Sequence, residues 1–566
     1  MATLPTSWIS SFITQTDFKS TNIVFFDIVN THDDEIVVGY SIDEYISALL
    51  NHHVTNVFIH DFNYMASYII DYVLKNNFVY NPSGSFKFEG DVAYNLFRDD
   101  DGHCYYIKLF FKTVNGPRSC EFKSSKNKTM SSVSSMYKSF GLKIDTDINI
   151  DNISDSTKQL NAVEVMTDNM MEEAIISSLV VAGVIKKLKK VGYNKLTIGS
   201  DALRQWIRFD GDFSYLLPRL DEEVDNNLRL AYRGGFTWIN PIYKNKETSD
   251  GIVLDINSLY PFIMRNFDMP VGVPVWTTGQ PGPDDYFVCH IAVTATLKPN
   301  HIPCISNINN SISGATTIIV NEYLENLESA DIWLTNFDFE LLTQNYDIEA
   351  LEYYGAYVFK KQSGMFDTFI DVHYEIKRQT TGAKRQLSKL MLDSLYGRFG
   401  IKTNKKTTVP SLIDNKLVFN DGKTLEDRTL RYLPIAIFIT SIARWAIISD
   451  ALDIFDRLIY VDTDSLHLVG TDIPEGFDIS DKLGDYKIEA IFKKALYVGL
   501  KTYIHDEIIN DKVETVVKMS GAPDTVKKHV GWHNFASGTV VPGKYYVKTV
   551  PGGFIRCETT FKITSI

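Results

Sequence analysis

Short β-branched and aliphatic runs, punctuated by turn formers, set the pattern of this chain. Ile23 to Phe26 and Val57 to Ile59 read as buried strands, and the longer run Ile175 to Ile185 as a helix that covers them. Ile252-Val253-Leu254 predicts another buried strand, closed by Asp255. Leu458 to Val461 and Leu466 to Val469 predict the arms of a hairpin with Asp462 and Asp464 at its tip. KRQTTGAKRQLSKLMLDSLYGRFG, from Lys377 to Gly400, reads as a helix. On it Arg385, Lys389 and Asp393 recur at i, i+4 and i+8 on one face, and Leu387, Leu390, Met391 and Ser394 fill others. LESADIWLTNFDFELLTQ, residues 327–344, reads as a further helix, and QPGPDD and NINNSISG as loops. Residues 401–428 place Asp414-Asn415 and Asp421-Gly422 turns between short strands, the pattern of a β-hairpin. The tail beyond Met519 is glycine-rich and β-prone.

At 566 residues the chain is long enough for several domains, each with its own core. A net charge of -13 would oppose nucleic-acid binding if it were spread evenly. Basic residues instead cluster from Lys377 to Lys406 and around Lys487 to Lys501, so a positive DNA path fits beneath an acidic exterior. Five scattered cysteines include no CxxC pair, which indicates neither zinc nor a disulfide framework and fits a reducing cytoplasm. The N-terminus lacks a basic start followed by an apolar core, so no signal peptide is expected. The longest apolar stretches, near Ile175 and Ile435, are too short or are interrupted by Arg444, and no membrane span is expected.

The candidate chemistry lies in the aspartates. Hard oxygen ligands on rigid strands suit Mg²⁺, with Mn²⁺ as a substitute, and a pair of such ions can activate a hydroxyl and stabilise departing pyrophosphate. Asp462-Thr463-Asp464 is equally readable as a plain tight turn. The cationic stripe between the two acidic runs tips the balance. Such a stripe is often only a solvated face. Lying between acid-bearing strands, it also suits a triphosphate, whose charge Lys and Arg neutralise and position.

DINSLYP, KLMLDSLYG and YVDTDS together resemble the three polymerase motifs of family B DNA polymerases, and the details resemble the protein-primed subgroup of small phages and linear plasmids. Tyr232-Arg233-Gly234-Gly235 resembles that subgroup's YxGG motif, and Lys501-Thr502-Tyr503 its KxY motif; the long stretch between Asp255 and Lys389 fits its extra terminal-protein region. The resemblance runs from about Leu228 to the C-terminus. It implies Asp255 and Asp464 as the principal metal ligands, supported by Asp462, for two Mg²⁺ ions. Ser258 and Leu259 would offer backbone amides to the phosphates. Lys377, Arg385 and Lys389 would contact the triphosphate, with Asp393 and Tyr396 on the same helix. Tyr260 would exclude a 2′-hydroxyl by steric clash, although core packing beside Pro261 also explains it. Lys501, Tyr503 and Lys518 would hold the primer, and Tyr232 with Gly234 and Gly235 the template.

Two departures stand out. The family's helix usually carries Asn where this chain has Asp393, which removes two donors and adds charge beside a triphosphate. In the family the N-terminal region is a proofreading 3′-5′ exonuclease of the ribonuclease H type, with two metals held by carboxylates spread over three motifs. Its first motif, Asp-x-Glu, has candidates at Asp17 and Asp27, but Lys19 or Val29 stands at the second acid. For the second motif, His60 to Met65 puts a thioether where Asp belongs, a soft ligand that Mg²⁺ does not favour. For the third, Glu173 and Ser177, or in another register Glu164 and Asp168, replace Tyr and Asp. Too few ligands remain in either register, so the expectation is a nuclease fold without nuclease activity. His60, Tyr64 and Ser135-Met136 resemble positions that hold single-stranded DNA and touch the terminal protein, though core packing explains His60 equally well.

The expected fold is a multidomain α/β and α+β chain. Residues 1–190 form the exonuclease-like domain, 191–268 and 429–518 the palm, 269–364 the first inserted region, 365–400 the fingers, 401–428 the second insertion and 519–566 the thumb. The expected activity is DNA-directed DNA synthesis from dNTPs on primed template, begun on a hydroxyl of a separate terminal protein. A monomer in the host cytoplasm, without membrane association, is expected. One rival is a polymerase specialised for repair, lesion bypass or antiviral defence. The other is a non-catalytic DNA-binding scaffold, which the retained Asp255, Asp462 and Asp464 oppose.

Overall fold

A computed structural model describes residues 7–150, 153, 157–306, 319–320, 323–402, 404–426 and 430–564. The N-terminal part is built on a nine-stranded sheet. Trp8–Thr16 runs antiparallel to Thr21–Asn30 and parallel to Asn56–Ile59, and the second half of Trp8–Thr16 also pairs with Thr157–Asn161. The apolar runs Ile23 to Phe26 and Val57 to Ile59 lie in these strands. The expected covering helix is Asp168–Lys190, which packs on the first two strands. Thr167 caps it by accepting from the Met170 N–H, and Lys187, Lys189 and Lys190 complement the dipole at its C-terminal end.

A core of Trp8, Phe12, Phe26, Tyr45, Ile59 and Met65 lies on this sheet, and Leu417 from 404–426 joins it. The larger core does not respect the expected boundary near residue 190: it runs from Val180, Val184 and Leu188 through Trp206 into the rest of the chain. Helix Ile198–Asp210 makes the join, because the Trp206 ring lies 5.1 Å from that of Phe366 and 5.6 Å from that of Phe399, and its Nε1–H donates to the Met365 carbonyl at 2.6 Å. The expectation of a separate core for every domain is therefore corrected.

The central sheet has Gly251–Ile256 flanked by Ser465–Val469 and Tyr486–Gly499, both antiparallel to it. Leu458–Asp462 pairs with Ser465–Val469, then Thr237–Ile239 with Leu458–Asp462; Thr502–Ile509 and Lys512–Met519 extend the other side. Behind it runs helix Leu433–Asp453, started by Pro434 in the first turn. This helix is long and apolar enough to cross a membrane, but 72% of its most apolar window is buried inside the protein.

Residues 269–364 hold a four-stranded antiparallel sheet, ordered Met269–Thr277, Tyr346–Gln362, Tyr286–Leu297, Asn326–Thr335. The helix expected over 327–344 is half wrong. Its first half is the strand Asn326–Thr335, with Ala330, Ile332 and Leu334 buried at two-residue spacing, and only Asn336–Asn345 is helical. Thr335 separates the halves as an N-cap that accepts from the Asp338 N–H at 3.1 Å. NINNSISG lies outside the described residues.

The helix read from Lys377 to Gly400 is divided into Asp367–Gln379 and Gly382–Gly400. Thr380 bonds back to the Ile376 carbonyl and Gly382 sits at φ 61°, so the chain turns between the two. Strands Asn404–Ile413 and Lys416–Glu426 form the expected hairpin, turning at Asp414 and Asn415 with φ of 51° and 58°. Asp421-Gly422 is not a second turn. It lies within Lys416–Glu426 opposite an irregularity at Thr407, where a Cβ on Gly422 would stand 2.6 Å from the Thr407 hydroxyl. A final hairpin pairs Val540–Val550 with Gly553–Lys562.

Candidate active site

Asp255 is the penultimate residue of Gly251–Ile256, directly across from Ser465 on one side and Lys487 on the other. Asp462 ends Leu458–Asp462, which is separated from Gly251–Ile256 by Ser465–Val469. Thr463, at φ 63°, turns the chain so that the Asp464 N–H donates to the Asp462 carbonyl at 2.7 Å. The Ile256 N–H then donates to the Asp464 carbonyl at 2.7 Å, fastening the turn to the strand that carries Asp255. The turn reading and the acid-site reading are thus the same object. Burial and then repulsion from Asp255 and Asp462, opposed by Lys487, together raise the Asp464 carboxyl to about 7. Burial and Asp255 also raise the Glu489 carboxyl. Lys487 ion-pairs with Asp255, and Lys501 with Asp462, while the Lys501 N–H donates to the Tyr460 hydroxyl at 2.8 Å. Crowded carboxylates, all hard oxygen donors, fit a divalent cation such as Mg²⁺.

Beside the acids, Ser258 takes a left-handed conformation at φ 57° and heads helix Leu259–Asn266. Lys377 reaches in from Asp367–Gln379 and donates to the Ser258 hydroxyl at 2.6 Å. Leu259 is buried, and the half-buried Tyr260 ring lies 4.4 Å from that of Tyr396, so Gly382–Gly400 meets Leu259–Asn266 through these rings. Arg385 donates to the Lys377 carbonyl at 2.6 Å. Desolvation raises the Asp393 carboxyl, and Lys389 and Lys377 pull it down. Lys377, Lys389 and Asp393 therefore act on one another across the two helices.

The Tyr232 to Gly235 loop is held from behind by Arg444, which donates to the carbonyls of Arg233 at 2.8 Å and Gly234 at 2.7 Å. Arg444 in turn makes a buried bidentate pair with Asp338, at 2.9 and 2.7 Å. Burial alone would raise the Asp338 carboxyl, but Arg444 holds it below the ordinary carboxylate range. A Cβ on Gly235 would lie 2.6 Å from Thr463 and 2.9 Å from the Tyr260 hydroxyl, so the loop can press on the acid turn only as glycine. Tyr232 packs against Gly400. Tyr503 is buried among Tyr460, Tyr497 and His467, and the exposed Lys518 lies across the strand pair from it. Sequence reading singled out neither Asp338 nor Glu489 as functional, placed Lys487 only in a basic cluster along the DNA path, and took Arg444 only as a break in an apolar run. A cation amid the most apolar helix was the available signal, since buried charge demands a partner.

Residues 179–481 match the family model described as DNA polymerase type B, organellar and viral, over more than half of the chain. The chain belongs to that family. It is 32% identical over 582 residues to the DNA polymerase of Bacillus phage phi29, covering 98% of each chain, and 32% identical over 557 residues to that of Bacillus phage Nf, covering 94% of each. The solved structure of phi29 DNA polymerase complexed with single-stranded DNA matches with a TM-score of 0.88, at 30% identity over 99% of this chain and 100% of that one. The complex of phi29 DNA polymerase with primer-template DNA and incoming nucleotide substrates matches with a TM-score of 0.87. This family B polymerase is a DNA-directed DNA polymerase, and its family implies dependence on a divalent metal.

The polymerase's N-terminal sheet presents a different set of groups. Asp17 sits in the solvent-exposed turn after Trp8–Thr16, where backbone N–H groups of Ser20 and Lys19 hold its carboxyl below the ordinary range. Asp27 is fully buried beside Ser178 and Ser11, and burial pushes its carboxyl well above that range. Met65 is buried in helix Phe62–Lys75, and the Ser177 hydroxyl donates to the Glu173 carbonyl within its own helix. Glu164 accepts from the Asn161 N–H, and Asp168 is exposed at a helix start. Among the described residues the grouped trio of metal-type ligands is Asp99, Asp101 and His103; neither these nuclease candidates nor Asp255, Asp462 and Asp464 belong to it. His60 is buried and bonded to Ser125, and burial lowers its imidazole to about 3.

Proposed function

We propose that this polymerase transfers deoxynucleotides with two Mg²⁺ ions held by Asp255 and Asp464 and supported by Asp462. It begins on a hydroxyl of a separate terminal protein, displaces the strand ahead and lacks effective 3′-5′ proofreading. The observation that carries the catalytic part is the mutual repulsion of three carboxylates, one on Gly251–Ile256 and two at the Asp462–Asp464 turn, next to a Lys377–Ser258 bond and a Tyr260–Tyr396 ring contact. Bound there, the ions would lower the barrier to attack by the primer hydroxyl and stabilise the leaving pyrophosphate. The chain's own residues do the placing. Lys377, Arg385 and Lys389 gather triphosphate charge, Tyr260 closes the space where a 2′-hydroxyl would sit, and Lys501, Tyr503 and Lys518 line the primer side. Tyr232, Gly234 and Gly235 face the template.

In this reading residues 1–190 are the exonuclease-like domain, 191–268 and 429–518 the palm, and 365–400 the fingers. Residues 269–364 and 401–428 are the inserted regions, and 519–566 the thumb. The polymerase works as a monomer in the host cytoplasm. Protein priming is supported by the nearly full-length likeness to phage polymerases and by the Tyr232 to Gly235 loop pressed on the acid turn. It is tested by incubating the polymerase with a candidate terminal protein, template ends, Mg²⁺ and one labelled dNTP. A labelled protein band resistant to denaturation supports the reading, and its absence with active enzyme contradicts it. A second reading, an active polymerase specialised for repair, lesion bypass or antiviral defence, draws on the scarcity of acids at the nuclease-motif positions of the N-terminal domain. Extension of primed template past lesions but not along long templates would favour it.

A further inference from the structure

Two hairpins from distant parts of the chain share one seat on the N-terminal domain, helix Phe62–Lys75 and its surroundings. From 404–426, Leu417 is buried in the same cluster as Phe62 and Met65, and Phe419 packs against that cluster. Arg98, on the N-terminal sheet, lies 3.8 Å over the Phe419 ring and donates to the Thr408 hydroxyl at 3.1 Å. From the C-terminal hairpin, Phe554 joins the same cluster, 6.4 Å from the Phe419 ring.

The C-terminal hairpin is also tied down by polar contacts. The Thr21 N–H donates to the Pro551 carbonyl at 3.0 Å, the Phe554 N–H to the Ser67 hydroxyl at 2.9 Å, and the Tyr68 hydroxyl to the Phe554 carbonyl at 2.8 Å. Gln159 bonds the backbone of Arg556 in both directions, accepting from its N–H at 2.7 Å and donating to its carbonyl at 3.0 Å. The Arg556 guanidinium pairs with Asp61 and lies 4.6 Å over the Tyr64 ring. Gly552, at φ 99°, is obligatory, since a Cβ there would strike the Thr21 carbonyl. Both charges of the Arg556–Asp61 pair are mostly withdrawn from solvent, at 24% and 14% side-chain exposure, so removing either strands the other.

We propose that the N-terminal domain serves as the anchor for the two hairpins beside the DNA path, and that Arg556 on Asp61 is its latch. Asp61 lies in the segment where the second nuclease motif would be, and the cation it holds is a guanidinium of the same chain. The inference rests on the strand-displacing synthesis proposed above, with the inserted region 401–428 and the thumb 519–566 taken to close around the DNA, and it makes Arg556 a positioning residue: it touches neither substrate nor reacting atoms. Holding the hairpin down slows DNA release without altering the chemical step.

The test is extension of a primed circular template in one binding event, with a DNA trap added at the start, alongside single-nucleotide insertion and thermal melting. Arg556→Gln and Asp61→Asn each shorten the products by about fivefold, the double variant is no worse than either, and Arg556→Lys recovers most of the length. Insertion of one nucleotide is unchanged in all of them. Parental product lengths in Arg556→Gln, or an equal fall in single-nucleotide insertion, overturn the latch. A parent enzyme that itself releases DNA after a few nucleotides instead refutes the enclosure reading on which the latch rests.

Discussion

The acid turn of the central sheet and the nuclease-motif region of the N-terminal sheet differ in the groups they bring together. At the acid turn Asp255, Asp462 and Asp464 crowd together, and their repulsion contributes to an Asp464 carboxyl near 7. In the nuclease-motif region Ser11 and Ser178 bond to each other at 2.6 Å, Met65 is buried, and Asp61 holds Arg556. Crowded carboxylates destabilise a fold until a cation binds, so they persist only where the chemistry uses them. Apolar positions such as Phe12, Ile59 and Ile69 carry the packing independently of any metal.

The comparison can be broken most sharply at the acid turn. Asp464→Ala removes a proposed metal ligand, and nucleotide incorporation should fall by about 10³-fold or more, read by steady-state primer extension. Next comes the buried pair behind the Tyr232 to Gly235 loop. Asp338→Ala strands Arg444 in the core, and denaturant unfolding should show a loss of about 3–5 kcal/mol. Tyr260→Val opens the space beside the sugar, so the preference for dNTP over rNTP should drop by about tenfold or more in competitive incorporation. Asp393→Asn withdraws an anion from beside Lys389 and Lys377, and KM for dNTP should fall by about fivefold with kcat little changed.

The smallest effect belongs to the other side of the comparison. Folded Asp27 binds its proton more tightly than an unfolded chain does, so its contribution to stability is complete below the ordinary carboxylate range and is lost as pH rises. Asp27→Asn should therefore narrow the difference in melting temperature between about pH 5 and about pH 8, and a widened difference would contradict the burial argument.

Much of the central site was legible because its residues are local in sequence. Aliphatic runs end on Asp255 and flank Asp462 and Asp464, and the observed strands end there too. The hairpin 404–426 was legible from the paired turn residues Asp414 and Asn415. What escaped was non-local. Asp338 and Arg444 are 106 residues apart and make sense only as a pair, and Lys487 reaches Asp255 only because Tyr486–Gly499 returns beside Gly251–Ile256. The helix expected over 327–344 failed where β pairing with Tyr286–Leu297 outweighed a locally ambiguous pattern. The continuous core through Trp206 was equally invisible, since no local signal says whether an apolar face meets its own domain or the next.

The central claim, that the synthetic acids are complete and the degradative ones are not, is tested most directly by one gel. A 5′-labelled primer with a mismatched 3′ end is incubated with the polymerase and Mg²⁺, with and without dNTPs, beside Asp17→Ala, Asp27→Ala and Asp168→Ala variants. The account predicts extension of a matched control with dNTPs and no shortening of the mismatched primer by any protein without them. Shortening by the parent at the rate of extension, abolished in one of those variants, would contradict it.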